Sequence, residues 1–254
     1  MEYTKSEVHI WHHGRCLVGT VYQPDLEQPV PMVVFSHGYN GSGADFAYSS
    51  EYWAKKGISS LCLDFCGGSG KSRSQGKTTE MTIFSEVEDL CAALEEAREW
   101  KWVRKDAMFL FGGSQGGFVS ALTAEAYPDM VCGLILLFPA FCIPDNWNKR
   151  FSSSNEIPNT MEFWGMELGK SFFESLLGYN VFDHIGSYKG NVLILHGNQD
   201  TVVDLSYSRK AASLYPHAQL EIFPGEGHGF TEKGTRKATR MVCGFIKNIN
   251  DLLP

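Results

Sequence analysis

The sequence has no apolar segment long enough to cross a bilayer. Its longest apolar run, residues 131–143, contains a glycine and a proline, whereas a membrane-spanning helix needs about 20 consecutive apolar residues. The first seven residues are polar and lack the apolar centre of a secretion signal. We therefore expect a cytoplasmic protein with no membrane partner.

The chain also lacks an excess of basic residues and a regular cysteine pattern. It has 22 Lys and Arg against 29 Asp and Glu, a net charge of −7, so we expect no nucleic-acid partner. The seven cysteines are scattered without a C-x-x-C motif, which indicates buried structural thiols rather than disulfides or zinc ligands. His12 and His13 form a pair with no third ligand in view, so we expect no metal site.

Short apolar runs alternate with longer segments of helical periodicity, which is typical of an α/β fold. This alternation predicts a mostly parallel sheet flanked by helices, with an antiparallel edge formed by two early strands. The predicted strands are 16–22, 32–36, 58–65, 107–111, 131–138, 192–196 and 219–223. The predicted helices are 45–56, 84–100, 115–127, 205–214 and 233–250.

The alternation stops between residues 139 and 188. This segment holds ten aromatic residues in 50, against 13% for the whole chain, and is too long for a single crossover. We expect a core of residues 1–138 and 189–254, with 139–188 inserted as a lid over the carboxyl ends of the strands, where open α/β sheets bind ligands. A decorated crossover whose aromatic side chains pack only among themselves is the alternative.

Residues 109–118 read F-L-F-G-G-S-Q-G-G-F, an apolar run followed by G-x-S-x-G and a helical pattern. In this context a serine sits in a tight strand-to-helix turn with its hydroxyl exposed. Gly112 and Gly116 are expected because a Cβ at either position would clash in so sharp a bend. Ser114 is therefore the candidate nucleophile.

A serine needs a base to take its proton and an acid to orient that base. Asp200 follows the predicted strand 192–196, and His228 follows the strand 219–223, so the chain order is Ser, acid, His. Asp204 is a competing acid, but its position at the start of a helix favours an N-cap. Glu226 is too close to His228 in sequence to orient its ring. We predict the triad Ser114, Asp200 and His228.

The tetrahedral intermediate needs hydrogen-bond donors already aimed at its oxyanion. The first candidate is the backbone N–H of Gln115, directly after the nucleophile. The second is the backbone N–H of Tyr39, in the loop that follows the strand 32–36. His37 and Gly38 of the same loop are candidate substrate-binding residues, although a structural role in holding the loop explains His37 better.

These motifs resemble those of the α/β-hydrolase serine esterases over nearly the full chain. His37-Gly38, the elbow at 112–117, the H-G-x-x-D motif at 196–200 and the G-x-x-H motif at 225–228 all match, and the S-Q-G-G of the elbow is similar to that of bacterial cinnamoyl (feruloyl) esterases. That group carries a small lid after a Pro-Ala pair like 139–140, and the lid shapes a pocket for an aromatic acyl group. The resemblance implies substrate contacts from residues of the lid: Asp145, which could approach a phenolic hydroxyl, Trp147, Trp164 and Phe172.

Two features depart from that group. Gly113 stands where the group usually has histidine, and residues 66–70 lack its usual His-Gly pair. We predict a cofactor-free serine esterase that acts on small-molecule esters, with hydroxycinnamate esters as one candidate class. A serine peptidase or amidase and a hydrolase-fold binding protein without catalysis are the alternatives. The sequence leaves the oligomeric state open, a homodimer included.

Overall fold

The computed structural model describes residues 1–251 and 253. The strands are β1 (Tyr3–His12), β2 (Arg15–Pro24), β3 (Val30–Ser36), β4 (Ser59–Asp64), β5 (Val103–Gly113), β6 (Gly133–Leu137), β7 (Thr160–Phe163), β8 (Met166–Gly169), β9 (Asn191–Gly197) and β10 (Ala218–Phe223). Eight of them form one sheet in the order β1-β2-β4-β3-β5-β6-β9-β10, and β7 pairs with β8 in a separate hairpin.

The main sheet is parallel from β4 to β10, and β2 pairs antiparallel with both β1 and β4. This confirms the predicted parallel sheet with an antiparallel edge. The two strands at the antiparallel edge are β1 and β2, whereas the second strand predicted for it, 32–36, is β3, which lies inside the sheet and pairs parallel with β4 and β5. The sequence signal missed β1 because most of its residues are exposed or half-exposed, so the strand shows little apolar alternation.

Helices cover both faces of the sheet. They are α1 (Ala47–Ala54), α2 (Ile83–Arg98), α3 (Gln115–Ala126), α4 (Ile143–Asn148), α5 (Lys170–Glu174), α6 (Leu205–Leu214) and α7 (Glu232–Asn250). Helices α2, α3 and α6 pack on one face, and α1 and α7 pack on the other. Among the described residues, none of these helices is both long enough and apolar enough to traverse a lipid bilayer.

The sheet forms two apolar layers because successive strand residues point to opposite faces. In β3, Met32 and Val34 pack with the α2, α3 and α6 layer, whereas Val33 and Phe35 pack with the α1 and α7 layer. A strand buried on both faces reads as a continuous apolar run. The apolar runs of the sequence therefore mark the central strands.

Residues 139–188 contain α4, α5 and the β7–β8 hairpin, none of which the sequence pattern predicted individually. Trp164 and Gly165 connect β7 to β8, and both have positive φ values, of 45° and 75°. Two central residues with positive φ suit the right-handed twist of a tight hairpin. The Tyr39 hydroxyl donates a hydrogen bond of 2.6 Å to the Phe163 carbonyl oxygen, which attaches the hairpin to the loop after β3.

Candidate active site

Ser114 occupies the turn between β5 and α3 in a backbone conformation that serine rarely adopts. Its φ is 53° and its ψ is −118°, so surrounding contacts must hold the strained turn. Its N–H donates to the Leu137 carbonyl oxygen at 2.9 Å, and its own carbonyl oxygen accepts the Ala140 N–H at 2.9 Å. These bonds tie the turn to the end of β6 and the segment after it.

Glycine is required on both sides of this turn. A Cβ on Gly112 would lie 2.1 Å from the carbonyl oxygen of Gly116, and a Cβ on Gly116 would lie 2.1 Å from the carbonyl oxygen of Ser36. Both obstacles are backbone atoms, which cannot rotate away as a side chain does. The crowding expected from the sequence is therefore present.

The structure brings Ser114, His228 and Asp200 into one hydrogen-bonded row. Ser114 Oγ lies 2.9 Å from His228 Nε2, and His228 Nδ1 lies 2.8 Å from Asp200 Oδ2. Because an ionised carboxylate only accepts, Nδ1 carries the proton and Nε2 is left free to accept the serine proton. Phe138 packs on the His228 ring, with centroids 4.6 Å apart.

The carboxylate of Asp200 is fully buried and accepts from further donors. Its Oδ1 atom accepts the backbone N–H groups of Val202 and Val203 at 2.8 and 2.9 Å. Its Oδ2 atom, besides contacting His228, lies 3.2 Å from His196 Nε2. The carboxylate is thus fixed in orientation by donors on both oxygens.

His196 is a site residue whose role the sequence reasoning missed, although its H-G-x-x-D motif was visible. Its Nε2 atom also contacts the Val203 carbonyl oxygen at 3.0 Å, so this nitrogen is the donor, and Nδ1 accepts from Ser208 Oγ at 2.7 Å. Burial lowers the pKa of His196. A neutral ring with this tautomer donates to Asp200 without adding a charge.

The competing acids have other roles. Asp204 caps α6, since its Oδ1 atom accepts the Ser206 N–H at 2.8 Å. Glu226 accepts the backbone N–H and the hydroxyl of Thr231 at 2.6 and 2.7 Å. Both carboxylates therefore accept hydrogen bonds at the start of a helix, Asp204 at α6 and Glu226 at α7.

The backbone N–H groups of Tyr39 and Gln115 meet the chemical requirement for oxyanion donors. Neither donates to an acceptor within residues 1–251 and 253, and both residues border the same cavity as Ser114. The Gln115 side chain is tied back by a bond from Nε2 to Glu86 Oε2 at 2.9 Å. Glu86 is fully buried, and burial raises its carboxyl pKa well above the ordinary value.

A cavity of about 400 Å³ lies between Ser114 and residues 139–188. We call it the lid cavity, after the lid expected at these residues, and define it by Ser114, Trp147, Phe163, Trp164, Phe172 and Val203, which border it. Predicted contact residues Trp147, Trp164 and Phe172 are therefore at this cavity. Gly38 is also beside the nucleophile, since a Cβ on it would lie 3.2 Å from Ser114 Cβ.

Two of the predicted substrate contacts, His37 and Asp145, are not among the residues that border the lid cavity. His37 is 1% exposed; its Nε2 accepts the Phe65 N–H at 3.1 Å, and its Nδ1 contacts the Gly38 carbonyl oxygen at 2.8 Å. Both nitrogens are used inside the protein, as the structural explanation for His37 required. Asp145 does not border the lid cavity, and its Oδ2 accepts the hydroxyl of Tyr207 at 2.6 Å.

Another group of side chains could hold a metal ion away from Ser114. His12, the last residue of β1, and His13 of the turn after it meet Glu88 of α2, and their ligand atoms all lie within 4.8 Å of one another. The sequence analysis found no third ligand because Glu88 is distant in the chain. This group shares no residue with the row formed by Ser114, His228 and Asp200.

Comparison with known proteins identifies relatives over most of the chain. The family described as "Serine aminopeptidase, S33" matches residues 27–181, and the one described as "alpha/beta hydrolase fold" matches residues 137–235. A monoacylglycerol lipase of Mus musculus is 22% identical over 265 residues, covering 87% of this chain and 77% of the lipase. Dipeptidyl aminopeptidase BIII of Pseudoxanthomonas mexicana is 25% identical over 235 residues, 87% of this chain and 33% of the peptidase.

Among solved structures, Est1E from Butyrivibrio proteoclasticus bound to ferulic acid superposes with a TM-score of 0.87. It is 24% identical, and the match covers 96% of this chain and 99% of Est1E. At this identity the likeness concerns the fold alone. The predicted α/β-hydrolase fold is confirmed.

Proposed function

This chain belongs to the serine aminopeptidase S33 family of α/β hydrolases, and from that premise we propose that it is a serine esterase. The observation that carries the proposal is the row of contacts from Ser114 Oγ through the His228 ring to the Asp200 carboxylate. A positioned base and an orienting acid are what a serine hydroxyl needs to act as a nucleophile.

Acylation begins when Ser114 Oγ attacks the ester carbonyl carbon and His228 Nε2 takes the hydroxyl proton. Asp200 holds the ring with its proton on Nδ1 and stabilises the imidazolium that forms. The N–H groups of Tyr39 and Gln115 receive the oxyanion. The intermediate then collapses, the C–O bond to the alcohol breaks, and His228 gives its Nε2 proton to the departing oxygen.

Deacylation repeats these steps with water as the nucleophile. His228 removes a proton from water, the resulting hydroxide adds to the acyl carbon, and the same two N–H groups hold the second oxyanion. Return of the proton to Ser114 Oγ releases the carboxylic acid. Every proton transfer in this cycle uses the Nε2 atom of His228.

The acyl group that fits the lid cavity best is an aromatic one. Trp147, Phe163, Trp164 and Phe172 border the cavity, and aromatic rings pair well with one another in offset or edge-to-face contacts. The structural likeness to Est1E, which was solved with ferulic acid, supports the same substrate class. We therefore propose residues 139–188 as a lid and hydroxycinnamate esters as the substrate class.

The test compares Ser114→Ala with Ser213→Ala, which removes an exposed hydroxyl from α6. We expect Ser114→Ala to lose p-nitrophenyl acetate hydrolysis and labelling by a fluorophosphonate probe, and Ser213→Ala to keep both. Full hydrolysis by Ser114→Ala contradicts the proposed mechanism. Normal folding without labelling of the wild-type protein favours a non-catalytic binding protein.

A serine peptidase is the second candidate, because the family description and the relation to a dipeptidyl aminopeptidase both point to amide substrates. A panel of methyl ferulate, short-acyl esters, long-acyl esters and peptide anilides separates the two. We expect the highest kcat/KM for methyl ferulate. A higher kcat/KM for the anilides would assign the site to peptides.

A further inference from the structure

A second cavity, of about 420 Å³, also reaches Ser114. It lies on the face of the sheet covered by α1 and α7, and we call it the Gly113 chamber, defined by Phe46, Gly113, Phe138, His228, Ala238 and Thr239. Ser114, Tyr39 and Trp164 border both this chamber and the lid cavity. The nucleophile therefore stands where the two cavities meet.

Gly113 differs from the other glycines of the elbow in having room for a side chain. Added Cβ atoms would come within 2.1 Å of backbone at Gly112 and Gly116, and within 2.9 Å of Pro139 at Gly117. At Gly113 the nearest atom is Phe46 Cζ, at 3.6 Å, an ordinary van der Waals contact.

The backbone also permits a side chain at this position, because Gly113 is not among the residues with positive φ in the described chain. Folding of the elbow thus requires glycine at positions 112 and 116 but not at position 113. Since Gly113 and Phe46 both border the chamber, the missing side chain leaves this space open beside the nucleophile.

The chemistry of the leaving group assigns a role to the space. The departing alcohol oxygen must receive the proton held by His228 Nε2, so the alcohol has to leave on the side where His228 is exposed. His228 borders the Gly113 chamber but is not among the residues that border the lid cavity. Gln115, which carries one proposed oxyanion donor, borders only the lid cavity of the two.

We propose that the Gly113 chamber binds the alcohol portion of the ester and that the alcohol is bulky and ring-bearing. The chamber walls include Phe46, Trp53, Phe111, Phe138 and Phe230, together with the polar residues Ser49, Thr235 and Thr239. Such walls suit an apolar ring better than a methyl group, which would leave most of the volume unfilled. This assignment rests on the proposed esterase function and adds a second determinant of specificity to it.

The experiment measures kcat/KM for methyl cinnamate and benzyl cinnamate, which share an acyl group and release alcohols of similar acidity. We expect the wild-type protein to prefer the benzyl ester. In Gly113→Leu the side chain fills the chamber, and we expect the benzyl-to-methyl ratio to fall by about tenfold to a hundredfold, the range for a misfit in an apolar pocket.

Two further variants separate this effect from damage to the elbow. Ala238→Leu narrows the chamber from α7 without touching the turn, and we expect the same fall in the benzyl-to-methyl ratio. Asn146→Trp narrows the lid cavity from an exposed position on α4. It should instead lower the ratio of benzyl cinnamate to benzyl acetate while keeping the benzyl-to-methyl ratio.

An unchanged benzyl-to-methyl ratio in Ala238→Leu, whether or not Gly113→Leu is active, overturns the proposal. A change in cinnamate-to-acetate preference in Ala238→Leu, with no change in alcohol preference, also overturns it and assigns the chamber to the acyl group. Failure of the esterase proposal is seen separately, as turnover that survives Ser114→Ala.

Discussion

Replacing Asp200 by asparagine tests the proposed chemistry most directly, because the substitution preserves the shape of the side chain and turns one hydrogen-bond acceptor into a donor. Both carboxylate oxygens of Asp200 accept: Oδ1 from two backbone N–H groups, and Oδ2 from His228 and His196. The backbone donors cannot change, so the asparagine oxygen must stay with them. The new NH₂ group then faces His228 Nδ1.

An NH₂ group in this position favours the imidazole tautomer with its proton on Nε2. With its proton on Nε2, the His228 ring has no free nitrogen facing Ser114 and cannot accept the serine proton. For the same change in other serine hydrolases the loss in kcat is about 10⁴-fold, or about 5 kcal/mol at 1.36 kcal/mol per factor of ten. The buried NH₂ also meets the His196 Nε2–H, which adds a loss of stability.

The assay is kcat for p-nitrophenyl acetate, with thermal unfolding measured in parallel to correct for folded protein. Asp204→Asn is the matched control, since it makes the same change four residues away at the N-cap of α6, where asparagine caps as well as aspartate does. We expect it to retain kcat. A folded Asp200→Asn protein with kcat within tenfold of wild type would refute the reasoning, as would an equal loss in Asp204→Asn.

Three further predictions concern stability. Burial raises the pKa of Asp89 to about 6 from 3.8, so the folded state binds the proton more tightly, and stability is lost as pH rises through this range. Asp89→Asn should therefore raise the free energy of unfolding in urea by up to about 3 kcal/mol at pH 8 and by well under about 1 kcal/mol at pH 4; an equal gain at both pH values would contradict the pKa argument. Gly116→Ala should not give folded protein, because its Cβ would lie 2.1 Å from the Ser36 carbonyl oxygen. Gly113→Ala should instead have a wild-type circular dichroism spectrum, and similar spectra for the two variants would refute the steric argument. Thr82 caps α2 through its hydroxyl, so Thr82→Ala should lower the free energy of unfolding by about 1 kcal/mol and leave kcat unchanged. A loss of kcat in correctly folded protein would contradict this expectation.

Local signals predicted most of the sheet because its strands are buried on both faces. The apolar runs identified β2 to β6, β9 and β10, and helical periodicity identified α1 to α3, α6 and α7. The polar edge strand β1 and the short elements α4, α5, β7 and β8 were missed. Such elements bury too few residues to show a period, so contacts made by distant segments decide their structure.

The candidate site shows the same division. Ser114, Asp200 and His228 were visible because each follows its own strand, and the carboxyl ends of parallel strands meet at one edge of a sheet. The hydrogen bond from Tyr207 to Asp145 was not visible, because the two residues are far apart in the sequence. His196 was seen as part of a motif, but its contact with Asp200 depends on the loop that folds back after β9.

The sequence by itself determined the α/β architecture, the glycine-bounded serine turn and the chain order of the three polar residues. These features depend on short-range pattern and on backbone sterics, which any copy of the local sequence carries. Only the tertiary structure decided that His37 points inward, that Glu88 meets His12 and His13, and that the space beside Gly113 is an open chamber. Each of these depends on how segments distant in the chain pack together, because a cavity or a cluster belongs to all of its walls at once.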